Sequence, residues 1–202
     1  VVNALSGSLE IEVYKDGIIY RQSYRRGRPI TPVEKLGQTQ ESGTRIVIMP
    51  DPQIFDTVEF NAEMIWHRLR ELAFLNKGVK MTFKDERSDE YLEFQYEGGI
   101  VAFVNHLNKN KTPIHKEVAY INKEVDGIRV EVALAYNDGY IENIFTYANN
   151  INTAEGGTHL SGFRSAITRT LNDYGRKASL IKENQENLSG DDVREGLVAI
   201  VK

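Results

Sequence analysis

Three Asp-Gly pairs, at 16–17, 126–127 and 138–139, each separate runs of β-forming residues, and no other feature limits the fold of this chain as strongly. Asp and Gly both accept positive φ at low cost, so the pair closes two-residue turns whose twist matches the strands on either side. Before the first pair, Leu9, Ile11 and Val13 alternate with Glu10, Glu12 and Tyr14, and residues 18–24 resume the β pattern after it. An antiparallel hairpin is expected. A polar stretch over 25–43, containing Pro and Gly, leads to a third strand over 44–49, which Pro50-Asp51-Pro52 closes. The second and third pairs join strands expected over 118–121, 128–136 and 140–148.

Between these strand groups the period changes. Ile65, Trp66, Leu69, Leu72, Ala73 and Phe74 recur at helical spacing, and Lys77-Gly78 supplies a basic last turn and a C-cap, so a helix is predicted over 62–76. Strands over 79–83 and 91–96 follow, and Gly98-Gly99 opens a shorter helix with Ile100, Phe103, Val104 and Leu107 on one face. Val1 to Leu5 reads as a last helical turn stopped by Ser6-Gly7-Ser8. Gly156-Gly157 leads into a long helix from Thr158. Ser189 followed by Asp192 has the spacing of a capping box ahead of a final strand over 197–201. The sequence therefore reads as an α+β protein. Its polar, proline-ended segment at 108–113 marks the expected boundary between domains 1–110 and 111–202.

Composition removes several function classes. There are no cysteines, which excludes disulfides, thiol redox chemistry and the common zinc-finger patterns. The 25 Lys and Arg against 29 Asp and Glu leave a net charge of -4, so any nucleic-acid contact must come from a local patch. No apolar run has the length of a membrane span and the start has no secretory-signal pattern, so a cytoplasmic setting without membrane partners is the expectation.

Seven segments carry a resemblance. They are Val1-Val2-Asn3-Ala4-Leu5-Ser6; Gly43-Thr44 leading to Pro50-Asp51; Leu69-Arg70-Glu71-Leu72-Ala73-Phe74-Leu75-Asn76; Tyr96-Glu97-Gly98-Gly99-Ile100; 107–115; Asn149-Asn150-Ile151-Asn152 through Gly156-Gly157-Thr158-His159; and 189–197. In this order they resemble the ATP-hydrolysing subunits of bacterial type II DNA topoisomerases, the DNA gyrase B family above all. The resemblance covers nearly the whole chain. It implies the C-terminal part of a GHKL-type ATPase α/β sandwich, followed by a transducer domain with a left-handed βαβ crossover, against the usual right-handed rule. It further implies ATP and Mg²⁺ as cofactors, DNA and gyrase A as partners, homodimerisation of the gate on ATP binding, and aminocoumarin-type inhibitors. The family's catalytic glutamate, magnesium-binding asparagine, adenine-reading aspartate, glycine-rich lid and Gln-Thr-Lys loop match nothing in residues 1–202. No catalytic residue and no metal ligand is therefore assigned, and the chain by itself is expected not to hydrolyse ATP. The equivalent subunit of topoisomerase IV is the alternative within the same chemistry; a non-catalytic nucleic-acid-binding module is the alternative outside it.

Carried over residue by residue, the resemblance places Thr44 at the edge of the adenine, where a hydroxyl can both donate and accept. Lys15 falls where many relatives have an arginine at the pocket mouth, keeping the charge without the planar fork. On the long helix, Leu160, Phe163, Ile167, Leu171, Tyr174 and Ala178 share one side, while Ser165, Arg169, Asn172 and Arg176 share the other, with Arg164 at the border. In the family this helix lines a cavity for captured DNA. Arg164 matches an arginine there, and the helical wheel adds Arg169 and Arg176. Read without the family, that side is a solvated face. His159 is expected to be structural, because the histidines at 67, 106 and 115 lie on unrelated elements. Asp191, Asp192 and Glu195 are read as part of a helix cap rather than as an acid site.

Overall fold

The computed structural model describes residues 1–202, and its chain divides into two compact units, Val1–Asn61 and Ala62–Lys202. In the first unit a 3-10 turn, Val2–Leu5, runs into β1 (Ser6–Lys15), which turns at Asp16-Gly17 into β2 (Ile18–Arg25). Both turn residues take positive φ, 54° and 77°, as the hairpin reading requires. β5 (Gly43–Pro50) pairs antiparallel with the other edge of β1. The connection over 25–43 is more ordered than its composition implies. It contains β3 (Arg28–Pro29) and β4 (Glu34–Gln38), which bond to opposite ends of β2. Two-residue and Gly-containing strands carry no alternation for the sequence to show.

The second unit holds α1 (Ala62–Leu75), the hairpin β6 (Met81–Asp85) and β7 (Glu90–Phe94), and α2 (Gly99–Leu107). β8 (Ala119–Val125), β9 (Ile128–Tyr136), β10 (Asn143–Ala148), β11 (Ile151–Asn152) and β12 (Leu197–Val201) form one sheet, ordered β11-β10-β12-β9-β8. α3 (Thr158–Lys177) and α4 (Gly190–Arg194) lie in the crossover from β10 to its parallel neighbour β12. β12 is buried along its whole length, which explains its unbroken Leu-Val-Ala-Ile-Val run. Val198 and Ile200 join Phe74, Phe103, Val104, Ala133 and Tyr147 in one core. Leu197, Ala199 and Val201 point to the opposite face, because neighbouring strand residues alternate.

The third Asp-Gly pair does not close a hairpin. β12 inserts between β9 and β10, so the strands flanking Asp138-Gly139 are not neighbours. Asp126 and Gly127 have the paired positive φ values of a tight turn, whereas none of 137–139 does. Asn137 is instead buried, donating to Gly196 O at 2.9 Å and to Asn108 Oδ1 at 3.1 Å. That contact bears on the expected boundary too. Residues 108–114 are stitched to the end of β9 through Asp138 N–Thr112 O and Ile114 N–Tyr136 O, and the division into compact units falls at 61/62.

Gly196 and Gly162 give opposite expectations for alanine. Gly196 has φ +69° and a Cβ there comes within 2.3 Å of Asn137 O, while Gly162 in α3 has open space around it. Gly196→Ala should cost more than the roughly 1–3 kcal/mol of left-handed strain alone, and Gly162→Ala should be neutral or stabilising by up to about 1 kcal/mol. Thermal melts of the two variants check this; equal melting temperatures contradict the assigned backbone at 196.

Candidate functional site

The strand register sorts the first unit's sheet into two chemically different faces. Val13 lies opposite Thr44, Ile11 opposite Ile46 and Leu9 opposite Ile48. Lys15 is two residues beyond Val13 on the same strand, so Lys15 and Thr44 share one face with this aliphatic ladder. Both are exposed, and the Thr44 hydroxyl and Lys15 ammonium have no side-chain partner within the protein. An available hydroxyl and an available cation thus border an apolar floor.

The opposite face is built around a charge. Glu12 is only 5% exposed and stands between Arg21 on β2 and Arg45 on β5. It accepts from Arg21 Nε at 3.1 Å, Arg45 Nη1 at 3.4 Å and the Tyr14 hydroxyl at 2.8 Å. The Arg21 hydrogen bond, followed by that of Tyr14, holds its carboxyl down at about 2 despite the opposing effect of burial. The clamp links three strands and keeps its own charges off the aliphatic face. A second buried carboxylate, Asp51, takes Arg26 at the sheet end and is likewise held below the ordinary range, chiefly by that guanidinium.

The long helix brings Arg164 and Arg169 together in a groove of about 520 Å³, lined also by Ser165, Thr168, Asn172 and Arg194. Arg164 Nε donates to Glu142 Oε1 at 2.8 Å, and Arg194 Nε donates to Glu142 Oε2 at 3.0 Å. The far side of α3 departs from the solvated face expected of it. Asn172 is buried, donating to Leu188 O at 3.0 Å and accepting from Leu188 N at 2.8 Å. Arg176 turns into the 182–187 loop, with Nη2 to Gln185 O at 2.6 Å and Nε to Asn187 Oδ1 at 3.1 Å. A helical wheel cannot register a loop that folds back over the polar side. Tyr174, counted on the apolar side, is 62% exposed.

Arg194 was not singled out by sequence reasoning, although its i,i+3 spacing from Asp191 was a usable signal; the two pair at 2.7 Å. Ser189 and Asp192 form the expected capping box. His159 bonds Thr153 Oγ1 at 2.9 Å, a structural contact at the start of α3. Lys202 donates to Leu75 O at 2.7 Å. No helix is long and apolar enough to cross a membrane.

Solved topoisomerase ATPase domains have this fold. The 43K ATPase domain of Thermus thermophilus gyrase B, solved in complex with an aminocoumarin, superposes with TM-score 0.85 at 37% identity over 98% of this chain and 55% of that one. The gyrase B-subunit of Myxococcus xanthus gives 0.82 at 26% identity, over 98% of this chain and 57% of that one. The fold is thus that of the ATPase region of type II topoisomerases, with the mixed α/β organisation expected. In sequence, the profile of the DNA gyrase B family matches residues 99–202. The DNA gyrase B protein of Clostridium acetobutylicum is 53% identical over 202 residues, all of this chain and 32% of that protein; that of Bacillus mycoides is 50% identical over 203 residues, all of this chain and 50% of that protein. The chain belongs to the DNA gyrase B family, and it spans about a third to a half of the length of these relatives.

The Glu12 clamp has a defined pH dependence. Because the folded carboxyl titrates near 2 and its ordinary value is 4.5, the stabilisation is fully present above about pH 4.5 and is lost as pH falls toward 2. Glu12→Gln should therefore be less stable than the native chain at neutral pH, and the gap should close in acid. Melting curves from pH 7 to 2 read this directly; a constant gap contradicts the clamp.

Proposed function

We propose that this chain forms part of the ATP-operated gate of a bacterial type II DNA topoisomerase, in which nucleotide binding and hydrolysis are coupled to DNA strand passage and negative supercoiling. The observation that carries the reading is the joint presentation of Thr44 and Lys15 on the aliphatic face of β1 and β5, while every charge of the Glu12 clamp lies on the other face. The residues present fit the base end of a nucleotide. An aliphatic floor excludes water from a planar ring, the Thr44 hydroxyl can donate to and accept from its edge, and Lys15 places a positive charge at the mouth. ATP, when bound, supplies the phosphoanhydride whose cleavage drives the gate. For Mg²⁺ the chain offers no converging group of His, Asp and Glu, so no step is assigned to the ion. In this reading, residues 1–110 belong to the nucleotide-binding part and 111–202 to the transducer. Homodimerisation on nucleotide binding, assembly with gyrase A, aminocoumarin inhibition and a cytoplasmic setting complete the proposal. The Thermus relative solved with an aminocoumarin and the roughly half-identical gyrase B sequences support it.

The α3 groove is the proposed DNA-facing surface, with Arg164 and Arg169 from the helix and Arg194 from α4. Arg176 contributes by fixing the 182–187 loop beside it. Cations of this kind neutralise phosphates without reading bases.

Two measurements on the full-length protein test these assignments. Thr44→Val should weaken ATP binding by the roughly 0.5–1.5 kcal/mol of one hydrogen bond, a several-fold effect; unchanged affinity by calorimetry removes Thr44 from the site. Replacing Arg164 and Arg169 with glutamine, in the full-length protein complexed with gyrase A, should make the log–log salt dependence of DNA binding shallower by roughly 0.9 for each lost phosphate contact. An unaltered slope and unaltered DNA-stimulated ATPase leave the groove a solvated surface.

A further inference from the structure

The α3 groove carries three guanidiniums, those of Arg164, Arg169 and Arg194, yet its local charge is balanced. Glu142 and Asp191 bind the arginines directly and Asp173 lines the same groove, giving three carboxylates against three cations. Glu142 has the central position. One carboxylate oxygen receives both Nε and Nη2 of Arg164, and the other receives Nε of Arg194. Each carboxylate oxygen thus serves a different guanidinium, so one anion bridges two arginines, as a phosphate with its several oxygens also can.

The carboxylate is presented from a segment with little to hold it. Glu142 precedes β10, and its neighbours Tyr140 and Ile141 are 83% and 71% exposed. The Arg164 side chain is 43% exposed and that of Glu142 26%, so an anion arriving from solvent reaches the pair without opening the core. A partly exposed ion pair is a weak tie and yields to a competing anion.

We propose that Glu142 is an internal phosphate mimic, holding Arg164 and Arg194 until a DNA phosphate displaces it. This rests on the DNA-facing reading of the groove and adds a control to it: the affinity of the groove for DNA is set by exchange of one carboxylate for one phosphate. Loss of the carboxylate charge therefore tightens binding. A Glu142 that only orients the arginines has the opposite sign, because its loss leaves them misplaced.

The test uses the full-length protein complexed with gyrase A on a linear DNA duplex, with binding measured over a salt series. Glu142→Gln should bind DNA several-fold more tightly at low salt, because the same phosphate contacts form with no carboxylate charge to displace. Equal or weaker binding overturns the mimic. Asp191→Asn removes the other partner of Arg194 at a fully solvated position, and is the second variant should Glu142→Gln melt at a much lower temperature. It should shift affinity in the same direction by a smaller factor, and no shift overturns the proposal. A triple Arg164→Gln, Arg169→Gln, Arg194→Gln variant, measured in parallel, separates the two levels. If it binds DNA as the native protein does, the groove reading and the mimic fall together; if it binds weakly while Glu142→Gln gains nothing, the mimic alone falls.

Discussion

Burial of one aromatic ring organises the larger unit. Phe74 is 2% exposed and stacks on Tyr96 at 3.6 Å and Phe103 at 4.8 Å between ring centroids, joining α1, the chain leading to α2, and α2 itself. The same cluster meets Ala133, Val198 and Ile200, so the two helices and the five-stranded sheet share one core. The small side chains at 133 and 135 let the rings approach the sheet closely. Truncating a ring in such a site costs about 3–5 kcal/mol, a large part of a domain's net stability. Polar ties then fix the helices in place. The Tyr147 hydroxyl donates to Glu71, Arg68 Nη2 to Asn150 O, and Lys202 to Leu75 O.

The smaller unit solves a different problem. This sheet, with one aliphatic face, carries its ion pairs on the other face and at its end. Glu12 with Arg21 and Arg45, and Asp51 with Arg26, form them with buried carboxylates. Each carboxylate is multiply satisfied, which makes burial of the charge tolerable. The cost is sensitivity: with one arginine gone, a buried carboxylate loses much of its compensation. The α3 groove uses carboxylates the opposite way, where solvent and other anions can reach them.

What the sequence disclosed follows from how local the determining forces are. The hairpin at Asp16-Gly17, the helices at 62–75 and 99–107 and the cap at Ser189 rest on contacts within a few residues, and each stands where the pattern placed it. The strands at 28–29 and 34–38 exist only because β2 offers an edge, so their own residues carry no signal. Insertion of β12 between β9 and β10 is a contact across some sixty residues, and Asp138-Gly139 gave a turn motif without its hairpin. Of the candidate site, Thr44 and Lys15 became candidates through the family resemblance, and the register adds that they share a face. The joining of Glu142 to Arg164 and Arg194 was invisible. The two arginines lie 22 and 52 residues away from Glu142, and ion pairing at that range leaves no periodicity.

The central claim is that the aliphatic face of β1 and β5 is where the nucleotide base rests. Amide hydrogen exchange of the full-length protein, with and without a non-hydrolysable ATP analogue, tests it most directly, because a ligand on that face stabilises the strands presenting it. The account predicts slower exchange on analogue binding in peptides covering β5 around Thr44 and the β1 end at Lys15. Slowed exchange elsewhere in the protein, with these two peptides unchanged at saturating analogue, contradicts it.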